Sequence, residues 1–127
     1  MKRYALDTHA LFWYLTASPN LSEKAKTAIE KGIESGDIVV SVITLAELYY
    51  LNEKLGNPLN FLVEFKRLKE IFEVASVEAE DILSFPELSE IEEMHDRLIT
   101  SIALRYKAVL ITKDKDIRLS KMVRVLW

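Results

Sequence analysis

The sequence has no cysteine and no glutamine, and only three glycines, three prolines and two histidines among 127 residues. Without cysteine there is no disulfide, no thiolate nucleophile and no sulfur-ligated zinc or iron–sulfur centre, so any bound metal has to be held by oxygen or imidazole. The scarcity of glycine and proline, with half the residues hydrophobic, excludes a collagen-like or disordered chain and permits a packed core. No stretch approaches the roughly 20 apolar residues of a membrane span. Asp7 interrupts the segment that a signal peptide would need for its apolar core. A cytoplasmic protein with no membrane partner is the expectation. Basic charge is also short: 17 Lys plus Arg face 20 Asp plus Glu, for a net charge of −3. That balance excludes a surface that binds nucleic acid everywhere by charge, and leaves room for a local basic groove.

What is present reads as one domain over residues 1–127, with no repeat, low-complexity tract or linker. Short apolar runs at 3–6, 37–42, 109–112 and 123–126 have the character of buried strands, with a further candidate at 73–77. Helical content or spacing covers 8–15, 22–34, 43–55, 60–72, 78–85 and 96–107, with Gly32 and Gly36 closing the second of these and Gly56 and Pro58 stopping the third. Strands that alternate with helices, and that are continuously apolar rather than alternating, imply an α/β fold. The expected form is a three-layer α/β/α sandwich around a mainly parallel sheet.

In such a sheet, ligands bind beyond the carboxyl ends of the strands. Four acids fall there: Asp7 after the first strand, Glu47 early in the helix after the second, Asp96 at the start of a helix, and Asp114 after Ile111-Thr112. Each also has a structural reading. Asp96 suits an N-cap, worth about 0.5–2 kcal/mol. Thr44-x-x-Glu47 matches a capping box, although Ser41 is an equally good cap that would place Glu47 deeper among apolar neighbours. Asp114 sits in Lys113-Asp114-Lys115-Asp116, an alternation that also suits a solvated loop. Asp7, between an apolar strand and Thr8-His9-Ala10-Leu11-Phe12-Trp13, reads as pinned at the base of a cleft.

Carboxylates gathered in one place repel, and without a counter-ion one of them has to keep a proton near neutrality. A divalent cation removes that conflict. An all-oxygen donor set favours Mg²⁺ or Mn²⁺ over Zn²⁺, and such an ion is suited to offsetting charge at a phosphoryl group. The reaction class implied is metal-assisted phosphodiester hydrolysis.

The stretch Leu-Asp-Thr-His-Ala-Leu-Phe-Trp-Tyr-Leu at 6–15 resembles the opening motif of the PIN-domain ribonucleases, in particular the VapC-type toxins of type II toxin–antitoxin pairs. Ser41-Val42-Ile43-Thr44-Leu45-Ala46-Glu47-Leu48 is similar to that family's second block, His95-Asp96-Arg97-Leu98-Ile99 to its third, and Leu110-Ile111-Thr112-Lys113-Asp114 to its fourth. His95 and Ala46 depart from residues common in relatives, and neither departure replaces one of the acids.

The resemblance implies a PIN-like α/β/α fold and a Mg²⁺- or Mn²⁺-dependent endoribonuclease acting on RNA. It also implies a homodimer and a small VapB-like antitoxin partner. By this resemblance Asp7, Glu47, Asp96 and Asp114 form the catalytic quartet, with Asp7, Asp96 and Asp114 as metal ligands. Thr8, Thr112 and Arg97 would support the site or touch substrate, and Asp116 would be a subsidiary acid. Neither histidine is assigned acid–base work. Lys113, Lys115 and Arg118 could add a phosphate track, or simply solubilise the surface. The rings of Trp13, Tyr14, Tyr49 and Tyr50 could be core or line a groove for the antitoxin. Two other readings stay open: a Mg²⁺-binding phosphoacceptor module of signalling type, and a catalytically inactive PIN interaction module.

Overall fold

In the computed structural model, which describes residues 2–127, strand β1 (Tyr4–Leu6) leads through Asp7 into helix α1 (Thr8–Leu15). Helix α2 (Glu23–Ser35) precedes β2 (Ile38–Ser41), which passes without a loop into α3 (Val42–Lys54). Helix α4 (Phe61–Ile71) leads to β3 (Glu73–Ala75), then to the short α5 (Ala79–Leu83) and a 3-10 turn at Phe85–Leu88. Helix α6 (Met94–Arg105), β4 (Val109–Ile111), α7 (Lys115–Ser120) and β5 (Val125–Leu126) complete the chain.

The five strands form one sheet in the order β3-β2-β1-β4-β5, and every neighbouring pair is parallel. Successive residues of a strand face opposite sides. Leu6, Val40 and Ile111 therefore join one core with Leu11, Ile29, Leu48 and Leu68, while Ala5, Val39 and Leu110 join another with Ile99, Ile102 and Ile117. Both faces are covered, which is why the strands read as unbroken apolar runs. Each Leu or Ile taken fully out of water contributes about 1.5–3 kcal/mol. The three-layer α/β/α sandwich with a parallel sheet is thus the observed architecture.

Element boundaries moved where side-chain caps decide them. Ser41 caps α3, its hydroxyl accepting from the Thr44 amide at 3.0 Å, so Glu47 lies in the second turn and the Thr44–Glu47 capping box does not form. Helix α6 begins at Met94 rather than at 96 because the Glu93 carboxylate caps it, accepting from the Asp96 amide at 2.7 Å. Gly32 lies inside α2; the left-handed terminator is Gly36 at φ 75°. The expected loop after Ile111-Thr112 contains α7, which buries Ile117 and Ser120. Among the described residues, no helix is long and apolar enough to cross a membrane.

Candidate functional site

Strand β1 has β2 on one side and β4 on the other, so the direction of sheet growth reverses between β1 and β4. The loops that leave the carboxyl ends of these two strands run to opposite sides and leave a crevice, the place where α/β sheets bind ligands. Asp7 and Asp114 follow those strand ends.

Asp7 caps α1: one carboxylate oxygen accepts from the Ala10 amide at 2.8 Å, and the other accepts the Thr112 hydroxyl proton. Its own amide donates to the Ile111 carbonyl at 3.3 Å, which ties the start of α1 to β4. The Thr112 hydroxyl oxygen also accepts from the Asp114 amide at 3.0 Å. Asp114 in turn caps α7 through the Ile117 amide at 2.9 Å. A chain of hydrogen bonds thus sets two of the acids relative to one another. Thr112 is fully buried, and its hydroxyl serves the acids.

Glu47 is brought in from α3. Its Oε1 accepts the Thr8 hydroxyl proton at 2.6 Å, and its Oε2 lies 3.4 Å from His95 Nδ1. The hydroxyl of Thr44, on the same helix, donates to the Leu6 carbonyl at 3.2 Å and anchors α3 to the end of β1. Asp96 projects from the first turn of α6. Each of Thr8 and Thr112 donates its hydroxyl proton to an acid, which is the supporting role of the two that the sequence offered for them.

All four predicted acids line one cleft of about 830 Å³, with Thr8, Trp13, Tyr50 and Lys113 among its other walls. Burial foremost raises the pKa of Asp7, with Asp114 adding to the rise, while the Thr112 hydroxyl, the Ala10 amide and His9 oppose it. Asp96 is pushed up to about 7, first by burial and then by the charges of Asp114, Glu93, Glu47 and Asp7. Asp96 therefore feels every other acid of the cleft, and a proton offsets part of that crowding at neutral pH. A hard divalent cation would remove the crowding more completely, and each hydrogen-bonded carboxylate oxygen keeps a second lone pair for it. The donor set fits Mg²⁺ or Mn²⁺.

Glu93 is a residue that the sequence reading missed. Its Oε1 lies 3.0 Å from His95 Nδ1, and ligand atoms of Glu47, Glu93 and His95 all lie within 4.8 Å of one another. This trio could hold a metal at the cleft rim, and it differs from the expected set of Asp7, Asp96 and Asp114, sharing only the cleft. The signal was present as Glu93-x-x-Asp96, an acid three residues before a helix-starting acid.

Other expected residues do not join the cleft. Arg97 donates through Nε to the Ile91 carbonyl and through a terminal nitrogen to the Ser89 carbonyl at 3.3 Å, with its guanidinium 5.9 Å from the Phe85 ring centre. It braces the loop before α6 and is not among the cleft walls. Asp116, Lys115 and Arg118 are exposed on α7 and also lie outside the cleft. Lys113 does line it, with its ammonium 5.7 Å from the Trp13 ring centre. Trp13 and Tyr50 are cleft walls; Tyr14 and Tyr49 are not, and Tyr49 packs edge-on against Phe61 at 5.2 Å.

None of the curated proteins matches the chain. Solved structures do. A chain of VapBC2 from Rickettsia felis, bound to a DNA fragment from their promoter, superposes with a TM-score of 0.75 at 22% identity, covering 97% of this chain and 96% of that one. DNA-bound VapBC from Salmonella typhimurium gives 0.73 at 18% identity, with 99% and 98% covered. A toxin–antitoxin complex from Klebsiella pneumoniae gives 0.69 at 18%, with 98% and 96% covered. At these identities the likeness is one of fold. The sequence itself carries the assignment further: the family model for the PIN domain matches residues 4–122, a span that includes every acid of the cleft, and the chain belongs to the PIN domain family.

Proposed function

We propose that the protein is a Mg²⁺- or Mn²⁺-dependent endoribonuclease and the toxin of a type II toxin–antitoxin pair, of the VapC type that its motifs resemble. The observation that carries this reading is the convergence of Asp7, Glu47, Asp96 and Asp114 on one cleft at the reversal point of the sheet. Asp7, Asp96 and Asp114 would hold the cation, with Glu47 completing the acidic ring. When bound, the cation supplies Lewis-acid charge against the phosphodiester being cut. Thr112 orients Asp7 and Thr8 orients Glu47, so both carboxylates are fixed before substrate arrives. Asp96, held partly protonated near neutrality by burial and its acidic neighbours, would face the cation as a carboxylate, and Lys113 at the cleft wall would offer a positive charge to an adjoining phosphate.

The structural neighbours include toxin–antitoxin complexes, which supports a small VapB-like antitoxin as partner. A homodimer, a cytoplasmic location and a single domain over 1–127 belong to the same reading. No observation favours the phosphoacceptor alternative: β1 ends on Asp7 alone, and Ser41 at the end of β2 serves as a helix cap. The test is RNA cleavage by the purified chain with Mg²⁺ or Mn²⁺ and with chelator. Cleavage is expected only with metal, and Asp7→Asn and Asp96→Asn are expected to lose it while keeping their far-UV circular dichroism. Undiminished cleavage in both folded variants would overturn the assignment. An inactive interaction module would cleave nothing, yet would still bind the product of a neighbouring small reading frame.

A further inference from the structure

A second cavity, of about 470 Å³, lies between the start of α2 and the edge formed by α7 and β5. Its floor includes Tyr4, Val109 and Leu126. Its charged walls are Lys2, Lys24, Arg118 and Arg124, with no acidic side chain among the lining residues. All four cations are exposed, and among the described residues none of them is ion-paired with a carboxylate. In a chain of net charge −3, four unpaired cations around one groove form a local positive field that the overall balance hides.

The groove is next to the acidic cleft. Trp127 lines the groove, Trp13 lines the cleft, and their rings meet edge-on with centres 5.8 Å apart. The Lys113 ammonium stands over Trp13 on the cleft side. Lys113 and Trp13 on the cleft side therefore adjoin Trp127 and the cationic groove, with both rings partly packed on the core. Aromatic faces that accept any base, alternating with cations that accept phosphates, are the chemistry of single-stranded nucleic acid binding.

We infer that the groove of Lys2, Lys24, Arg118 and Arg124 is an auxiliary binding site for single-stranded RNA, which holds the backbone of a strand extending from the cleft across the Trp13–Trp127 pair. The inference rests on the endoribonuclease reading for its substrate, but it concerns binding outside the metal site and can be tested without cleavage. Each phosphate neutralised on a single strand contributes about 0.7 to the slope of log K against log salt.

The experiment compares the wild-type chain with an Arg118→Ala, Arg124→Ala double variant; both side chains are exposed and outside the cleft. Binding of a fluorescent, unstructured RNA of about 20 nucleotides is measured by anisotropy in chelator across a salt series. In parallel, cleavage of a dinucleotide, whose single phosphodiester is taken up by the cleft, is measured with Mg²⁺. The expected result is a salt slope lower by about 1.4 in the variant for the long RNA, with unchanged cleavage of the short one. An unchanged slope overturns the groove, and if the short RNA is still cleaved the nuclease reading survives that failure. Loss of the slope in a chain that cleaves no RNA keeps the groove and overturns the nuclease reading instead. Displacement of nothing by RNA but binding of poly-glutamate, lost in the variant, assigns the groove to an acidic protein segment and overturns the RNA inference.

Discussion

Thr112 shows how much of the site depends on a side chain with no acid–base role of its own. It is fully buried, its proton goes to Asp7 and its lone pair to the Asp114 amide. Removing the hydroxyl leaves one Asp7 oxygen without its donor and the Asp114 amide without its acceptor. Thr112→Val keeps the shape and loses both bonds. Metal affinity or turnover is expected to fall about 10–100-fold, with Thr112→Ser recovering most of it. Isothermal titration with Mn²⁺ reads the first quantity without relying on catalysis. Asp96 makes a second residue-level prediction, concerning the metal-free protein. Its folded-state pKa, about 7, lies above the ordinary 3.8, so the folded state is favoured by the protonated form. That contribution is complete below 3.8 and is lost as pH rises through about 7; Asp7, also raised, acts in the same direction. Thermal scans in chelator should show the midpoint falling from about pH 5 to about pH 8, and Asp96→Asn should flatten much of that fall.

The elements were legible in the sequence to the extent that apolar patterning defines them. The strands at 3–6, 37–42 and 109–112 were read from continuous runs because both faces of the sheet are buried. Less legible was what single side chains decide. Helix α7 is hidden in Lys113-Asp114-Lys115-Asp116, where charges dominate and only Ile117 and Ser120 turn inward. The start of α6 depends on a glutamate, a less usual cap than Asp or Ser. Gly32 was read as a terminator, yet it lies in mid-helix because α2 crosses β2 closely there. A Cβ at Gly32 would fall 2.9 Å from the Ile38 Cγ1 atom and closer still to its Cδ1. Gly32→Ala should therefore destabilise the protein, by about 1–3 kcal/mol, although alanine is the better helix former. Urea titration checks the sign, which helix propensity alone would reverse. For the acids, the sequence supplied identity and spacing but not partnership: that Thr8 holds Glu47, or that Arg97 faces the loop carbonyls, depends on rotamers that no spacing encodes.

At the scale of the whole molecule, charge is sorted rather than balanced. Setting the five acids that line the cleft aside leaves fifteen acids against 17 basic residues, so the negative charge is concentrated at one edge of the sheet. The folded protein is therefore expected to bind a divalent cation at a place where the unfolded chain has no preference. Mg²⁺ or Mn²⁺ at a hundredfold excess over Kd should stabilise the fold by about 2.7 kcal/mol, a rise of several degrees in the unfolding midpoint. Asp7→Asn should abolish most of that rise, as calorimetry with and without metal would show.

The bond between Thr112 and Asp7 joins residues separated by 105 positions. Strand β4, which carries that threonine toward the cleft, sits in the interior of the sheet between β1 and β5. A nascent chain emerging from the ribosome would therefore carry Asp7 and Glu47 long before it could position them, and Asp114 would not yet exist. The acidic ring closes only when the last third of the fold is in place, so on the proposed function synthesis itself would delay the appearance of nuclease activity.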